Sequence, residues 1–248
     1  MSINYNTGLH DVIHSIEKSH FWFRSRRRLL NLVLVRFIKK PQTTTFLEIG
    51  YGTGVVLQLL ESIGFRTFGL DVNKKAYTYA KKTTRATLYV SSLSSFKTDK
   101  RFDCVGAFDV LEHQSNDRAF LLQCHRLLRD RGLLFLTVPA HQRLWSQQDA
   151  YAGHRRRYSD QRLRQLLEEC SFEIVYLNHW QVLTLPFYLL WKAFIRSKDS
   201  DPLLSGFLRT PQEPINSIMY AILAVERRLV FKVHFPIGGS LIAVARRR

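Results

Sequence analysis

The order of apolar patterns along the 248-residue chain predicts an α/β fold, a mostly parallel sheet with helices on both faces. Three observations carry this. From Phe46 onward, short continuous apolar runs alternate with segments whose apolar residues recur at helical spacing. The first run, Phe46-Leu47-Glu48-Ile49, breaks into Gly50-Tyr51-Gly52-Thr53-Gly54, after which Val55, Val56, Leu57, Leu59 and Leu60 take up a helical pattern. The second strand-like run ends in an acid, in Gly69-Leu70-Asp71-Val72-Asn73.

Residues 1–40 read as a helical arm. Leu9, Val12, Ile13 and Ile16 fall at helical spacing, followed by Phe21-Trp22-Phe23-Arg24, by Arg26, Arg27 and Arg28, and by an apolar run from Leu29 to Ile38. Three consecutive aromatics cannot share one helix face, so at least one meets a second surface or covers a ligand; simple packing of the arm on the domain is the open alternative. The core spans residues 41–178. Its strands are expected at 45–49, 67–71, 87–90, 102–108 and 133–138, with later ones at 172–177 and 240–245, the last inside a closing segment 237–248. Its helices are expected near 55–63, 74–82, 117–128 and 160–170.

Residues 179–236 form an insert between the last two strands. It holds an aromatic and aliphatic run from Trp180 to Trp191, a polar stretch Lys198-Asp199-Ser200-Asp201-Pro202, and a helix-like run over 215–233. Tryptophan and tyrosine among aliphatics, with Lys192, Arg196, Arg227, Arg228 and Lys232 nearby, fit a helix lying in a membrane interface. A cap over an acceptor pocket or a dimer surface explains the same pattern. The favoured expectation is a cap that also touches the membrane or holds an apolar substrate.

Charge narrows the partners. With 37 Lys+Arg against 20 Asp+Glu the formal net charge is +17, which favours an anionic partner, either nucleic acid or the headgroups of a membrane leaflet. Cys104, Cys124 and Cys170 have no C-x-x-C spacing and read as small buried hydrophobes. The first residues are polar without an apolar leader, and no uncharged apolar run reaches the roughly 18 residues of a spanning helix. A cytoplasmic location is expected, with any membrane association at the inner face.

A strand, a glycine turn and a helix in that order suit a nucleotide-type phosphate or ribose site. The spacing is G-x-G-x-G, with Val55 where a dinucleotide fingerprint needs its last glycine, and no Gly-Lys-Ser or Gly-Lys-Thr follows for a P-loop. Asp71, at a strand's carboxyl end, can accept hydrogen bonds from both hydroxyls of an adenosine ribose; capping the following helix is its other use.

At this point the chain resembles the class I S-adenosylmethionine-dependent methyltransferases, over most of the span from Phe46 to about Val175. Glu48-Ile49-Gly50-Tyr51-Gly52-Thr53-Gly54 looks like the family's first motif, and Asp71 stands where its ribose-binding acid stands. The segment from Arg101 through Asp109, Val110, Leu111, Glu112 and His113 is similar to its fourth strand and following loop. Leu127-Leu128-Arg129-Asp130-Arg131-Gly132-Leu133 resembles the turn into its fifth, Asp130 replacing a common proline as turn chemistry. The resemblance implies a Rossmann-like, seven-stranded, mostly parallel sheet and S-adenosylmethionine as donor, with S-adenosylhomocysteine as product and no metal. It places Glu48, Gly50, Gly52 and Gly54 around the cofactor's methionine and ribose, Asp71 on the ribose, and Ser92, Leu93 and Asp109 in the rest of the cofactor site. Ser92 stands where an acid often binds the adenine amino group, and a hydroxyl can also accept that bond. A narrower resemblance is to bacterial methyltransferases with an aromatic-arginine element, here Phe21-Trp22-Phe23-Arg24, and a Gly153-His154-Arg155-Arg156-Arg157-Tyr158 element.

Methyl transfer from a sulfonium needs in-line alignment and exclusion of water, and a hydroxyl or ammonium acceptor benefits from a base such as histidine. The catalytic candidates are His154, expected in an arginine-rich neighbourhood, and His113, which has loop shaping as its alternative role. Trp22, Arg24, Arg155 and Tyr158 are the candidate substrate contacts. Arg155, Arg156 and Arg157 either bind an acceptor carboxylate or phosphate or form a solvated charge run. The expected acceptor is a small molecule, a lipid-linked intermediate or a glycan precursor. RNA or another nucleic acid is the alternative, although no RNA-binding module and no Asn-Pro-Pro-Tyr-like tetrad is present. A non-catalytic membrane-surface or partner-binding protein with the same fold is the reading from another class.

Overall fold

The computed structural model describes residues 9–194 and 210–248. The polar stretch expected at 198–202 lies outside the described residues. The strands are β1 (Thr45–Ile49), β2 (Arg66–Asp71), β3 (Thr87–Val90), β4 (Phe102–Phe108), β5 (Leu128–Pro139), β6 (Phe172–Trp180) and β7 (Ser240–Arg247). They form one sheet in the order β3-β2-β1-β4-β5-β7-β6. All neighbours are parallel except β7, which runs antiparallel to both β5 and β6. Chain order reverses direction across the sheet between β1 and β4, and a crevice opens at such a switch point beyond the carboxyl ends of the strands.

The helices are α1 (Leu9–Ile16), α2 (Phe21–Phe37), α3 (Val55–Ile63), α4 (Lys74–Thr83), α5 (Asp117–Leu127), α6 (Gln147–Tyr151), α7 (Asp160–Glu169), α8 (Leu185–Phe194) and α9 (Ile215–Leu229). Successive strand residues divide between two cores. Phe46, Cys104, Phe135 and Ile242 pack with α2, α3 and α4, whereas Leu47, Val105, Leu136 and Ala243 pack with α5 and α7. Burial on both faces is why these strands read as continuous apolar runs rather than as alternation.

Three strands exceed the lengths their sequence suggests by two residues or more, and β2 by one. β5 begins at Leu128 rather than 133, through the solvent-facing Arg129-Asp130-Arg131, which carry no apolar signal; Arg131 sits at φ 60° beside a register shift in the β4–β5 pairing. β6 extends to Trp180 because Asn178 and His179, polar in sequence, find hydrogen-bond partners where they are buried. Asn178 Nδ2 donates to the carbonyls of Val230 and Val233, both at 2.8 Å, and His179 Nδ1 donates to that of Phe235 at 2.9 Å. β7 continues to Arg247, where the pairing outlasts the apolar residues. In the insert, α9 ends at Leu229, short of 233.

The arm and the insert, separate in sequence, are joined in space. α2 packs along α9. Asn216 clamps the two: its Oδ1 accepts from the backbone N–H of Phe21 at 2.9 Å and its Nδ2 donates to the Ser19 carbonyl at 3.1 Å. Buried Glu226 holds the start of the insert by accepting from the N–H groups of Val182 and Leu183 at 2.9 and 3.0 Å. Among the described residues, no helix is long and apolar enough to cross a membrane.

Candidate functional site

A cavity of about 860 Å³ opens at the carboxyl ends of β1, β2 and β4. Its floor is the glycine turn after β1. Gly50 stands at φ 75°, and a Cβ there would lie 2.5 Å from Val110 Cγ2, so both backbone conformation and space require glycine. The Gly52 N–H donates to Asp71 Oδ2 at 3.0 Å, and Asp71 Oδ1 accepts from the Asn73 N–H at 2.8 Å. Asp71 therefore braces the turn while its carboxylate lines the cavity.

Glu48 occupies the same end. It is buried, its Oε2 has no hydrogen-bond partner, and burial pushes its carboxyl up to about 8, with Arg26 opposing the shift and Asp71 adding to it. The arrangement suits a ligand with an ammonium group for Glu48 and vicinal hydroxyls for Asp71. Ser92 and Leu93 line the adjoining wall. Gly54 does not line the cavity; at φ 85° it opens α3 against Ala80. Thr53 ties the turn to the arm, its Oγ1 donating to Glu17 Oε2 at 2.6 Å.

The other end is a polar cluster after β4. Asp109 sits at φ 59° and pairs with Arg26 at 2.6 Å, while the same guanidinium donates to the Phe108 carbonyl at 3.1 Å. His113 Nδ1 donates to the Gly153 carbonyl at 3.2 Å; burial, with His154 adding, pushes its imidazole down to about 4. The His154 ring meets His113 edge-on at 4.8 Å between centroids, and its Nδ1 donates to Asp149 Oδ1 at 2.8 Å. Asp149 also takes a two-point contact from Arg157, Nε to Oδ1 at 2.8 Å and Nη2 to Oδ2 at 2.9 Å. Burial would raise the Asp149 carboxyl, but the bonds from His154 and Arg157 hold it down at about 2. Behind the histidines, Glu112 is fully buried with neither carboxylate oxygen hydrogen-bonded.

The arm and insert roof the cavity. Phe21, Trp22 and Phe23 all line it, together with Leu185, Tyr188 and Met219 from the insert. Trp22 lies 6.0 Å from Trp180 between ring centroids. Packing of the arm on the domain and lining of the cavity are one arrangement here.

Of the sequence candidates, the structure brings Glu48, Gly50, Gly52, Asp71, Ser92, Leu93, Asp109, His113, His154 and Trp22 to the cavity. Four lie elsewhere, Gly54 at the start of α3 among them. Tyr158 is buried in the core, its hydroxyl donating to Asp117 Oδ2 at 3.2 Å, and does not line the cavity. Arg24 is turned over the Tyr220 ring, 4.3 Å from its centroid. Arg155 is exposed and splints two loops, its N–H donating to the Glu112 carbonyl at 2.9 Å and its Nε to that of His113 at 3.2 Å. Arg156 pairs with Asp117 at 2.9 Å. The arginine run is thus neither an open anion site nor a solvated face, and the groups on the His154 ring are carboxylates rather than guanidiniums. Asp149 stands near His154 in the sequence and meets it here; Arg26 and Glu112 were not site candidates, although an acid beside a histidine just past β4 is a usable signal for Glu112.

A family described as a methyltransferase domain matches residues 20–177. A protein named as a probable S-adenosylmethionine-dependent methyltransferase in Mycolicibacterium smegmatis is 25% identical over 167 residues, 66% of this chain and 63% of the relative. A ubiquinone biosynthesis O-methyltransferase of Pelagibacter ubique is 29% identical over 110 residues, 42% of this chain and 46% of the relative. The chain thus spans less than two thirds of the length of these relatives. In fold it is similar to a chain of the solved complex between the Haloferax volcanii methyltransferase activator Trm112 and a methyltransferase, with a TM-score of 0.63, 15% identity and 96% of each chain covered.

Proposed function

The chain belongs to the methyltransferase-domain family, and from that premise we propose that it moves a methyl group from S-adenosylmethionine to a small or lipid-linked acceptor held under the arm and insert. The observation that carries the proposal is that one cavity joins the Glu48 and Asp71 end to the Glu112, His113 and His154 end beneath an aromatic roof. Bound there, S-adenosylmethionine supplies an activated methyl on a sulfonium. Glu48 would take its ammonium, matching the unpartnered Oε2, Asp71 its ribose hydroxyls, and Ser92 with Leu93 the adenine side. Phe21, Trp22 and Phe23 exclude water from the reacting atoms. The polar cluster past β4 receives the acceptor's nucleophilic atom. A relative named for ubiquinone biosynthesis supports a small-molecule hydroxyl acceptor.

Asp71→Ala is expected to weaken S-adenosylmethionine binding by at least about 10-fold, the worth of charge-assisted hydrogen bonds. Calorimetric titration measures it, and an unchanged affinity sinks the assignment.

The insert adds a membrane component to the proposal. Leu189 and Leu190 of α8 and Ile218 and Val225 of α9 are exposed, and the chain carries +17. Such a face would let the protein meet a lipid-linked acceptor at an anionic surface. Vesicles containing anionic lipid should carry the protein upward in a flotation gradient at low salt. Failure to float removes this component, and a steeply salt-dependent affinity for RNA instead would favour a nucleic-acid acceptor.

A further inference from the structure

We propose that Glu112, His113 and His154 hold a divalent first-row transition-metal ion at the acceptor end of the cavity. Each offers one ligand atom, and these atoms lie within 4.8 Å of one another. Two ligands sharing an ion at about 2.1 Å each stand no more than about 4.2 Å apart. His154 Nε2 and Glu112 Oε1, at 3.8 Å, already satisfy that limit, and the ligand atom of His113 lies within 4.8 Å of both.

The second observation is Glu112 itself. A fully buried carboxylate with no hydrogen bond to either oxygen is costly unless it is neutralised or paired with a cation. The nearby guanidinium of Arg26 is held by Asp109 and the Phe108 carbonyl, so it does not relieve this charge by contact. An ion on the cavity side would.

The surroundings are those of a supported metal ligand. His154 is held at Nδ1 by Asp149, which leaves Nε2 facing Glu112, and Asp149 is fixed in turn by Arg157. His113 is held at Nδ1 by the Gly153 carbonyl. Outer acceptors of this kind set ring orientation and strengthen imidazole as a ligand. Two imidazoles and one carboxylate favour zinc, cobalt, manganese or iron over magnesium or calcium, and three protein ligands leave a position for an acceptor oxygen.

The ion's role rests on the methyltransferase reading above; its binding does not. A bound hydroxyl would lose its proton to water more readily. Its oxygen would then form the bond to the methyl carbon as the carbon–sulfur bond breaks, the electron pair staying on sulfur to give the thioether. The histidines would position the ion, and the acceptor would be an oxygen nucleophile.

Chelator-treated full-length protein titrated with Co²⁺, followed by visible absorption and calorimetry, tests the assignment. One equivalent should bind, with the absorption bands of nitrogen and oxygen ligation. Glu112→Gln and His154→Ala should each weaken binding by at least 10-fold, while Glu112→Gln keeps its S-adenosylmethionine affinity and thereby reports an intact fold. No uptake by the wild-type protein, or equal uptake by a folded Glu112→Gln or His154→Ala protein, overturns the site. Loss of S-adenosylmethionine binding by the wild type with Co²⁺ binding intact would instead strike the methyltransferase reading alone.

Discussion

Replacing Glu48 with Gln is expected to weaken S-adenosylmethionine binding by about 10- to 100-fold, the range for losing a charged partner of a hydrogen-bonded ammonium. The buried carboxyl titrates near 8 in the fold against an ordinary value of 4.5, so it holds its proton at neutral pH until a cationic ligand arrives. Binding at pH 7 should therefore release close to one proton from this residue. Calorimetry in buffers of different ionisation heat would detect that release in the wild-type protein, and the variant should lack it. The same shift links to stability. A raised folded-state value means that Glu48's contribution is fully present below 4.5 and is lost as pH rises toward 8. The unliganded variant should lose less stability across that window. Equal cofactor affinity in the two proteins would show that Glu48 does not meet the ammonium.

Asp149→Ala carries the largest expected stability cost, about 3 kcal/mol, because it leaves Arg157 without its buried carboxylate. It also removes the acceptor that organises the start of α6, where the Ser146 N–H donates to Asp149 Oδ2 at 2.8 Å. The sign is opposite to that of Glu48. With its folded value held at about 2, below the ordinary 3.8, Asp149 contributes stability above 3.8 that is lost as pH falls through 2. Urea denaturation near pH 7 should show the full difference, and a much smaller one near pH 2. An unchanged midpoint at pH 7 would mean that the network is decorative.

The core of the fold was legible because burial on both sheet faces left unbroken apolar runs, and because Gly50 and Asp71 mark where strands end at the cavity. What stayed hidden was polar residues hydrogen-bonded over long sequence distances. Asn178 and His179 break an apolar run, yet they extend β6, since their partners lie in the segment around Val230 and Phe235. His154 read as surrounded by arginine because neighbours in sequence were taken as neighbours in space; Arg155 and Arg156 turn to other loops, whereas Asp149 folds back onto the ring. Tyr158 looked like a site residue from its motif and is a core residue by burial. The joint roof was invisible for the same reason, since Asn216 and Phe21 meet only in three dimensions.

The central claim, that one cavity seats the methyl donor at Glu48 and Asp71 with its methyl directed toward Glu112, His113 and His154, is tested most directly by a crystal structure with S-adenosylhomocysteine. The account places its amino group on Glu48, its ribose on Asp71 and its sulfur facing the histidine cluster. A nucleoside bound elsewhere, or a sulfur turned away from that cluster, would contradict it.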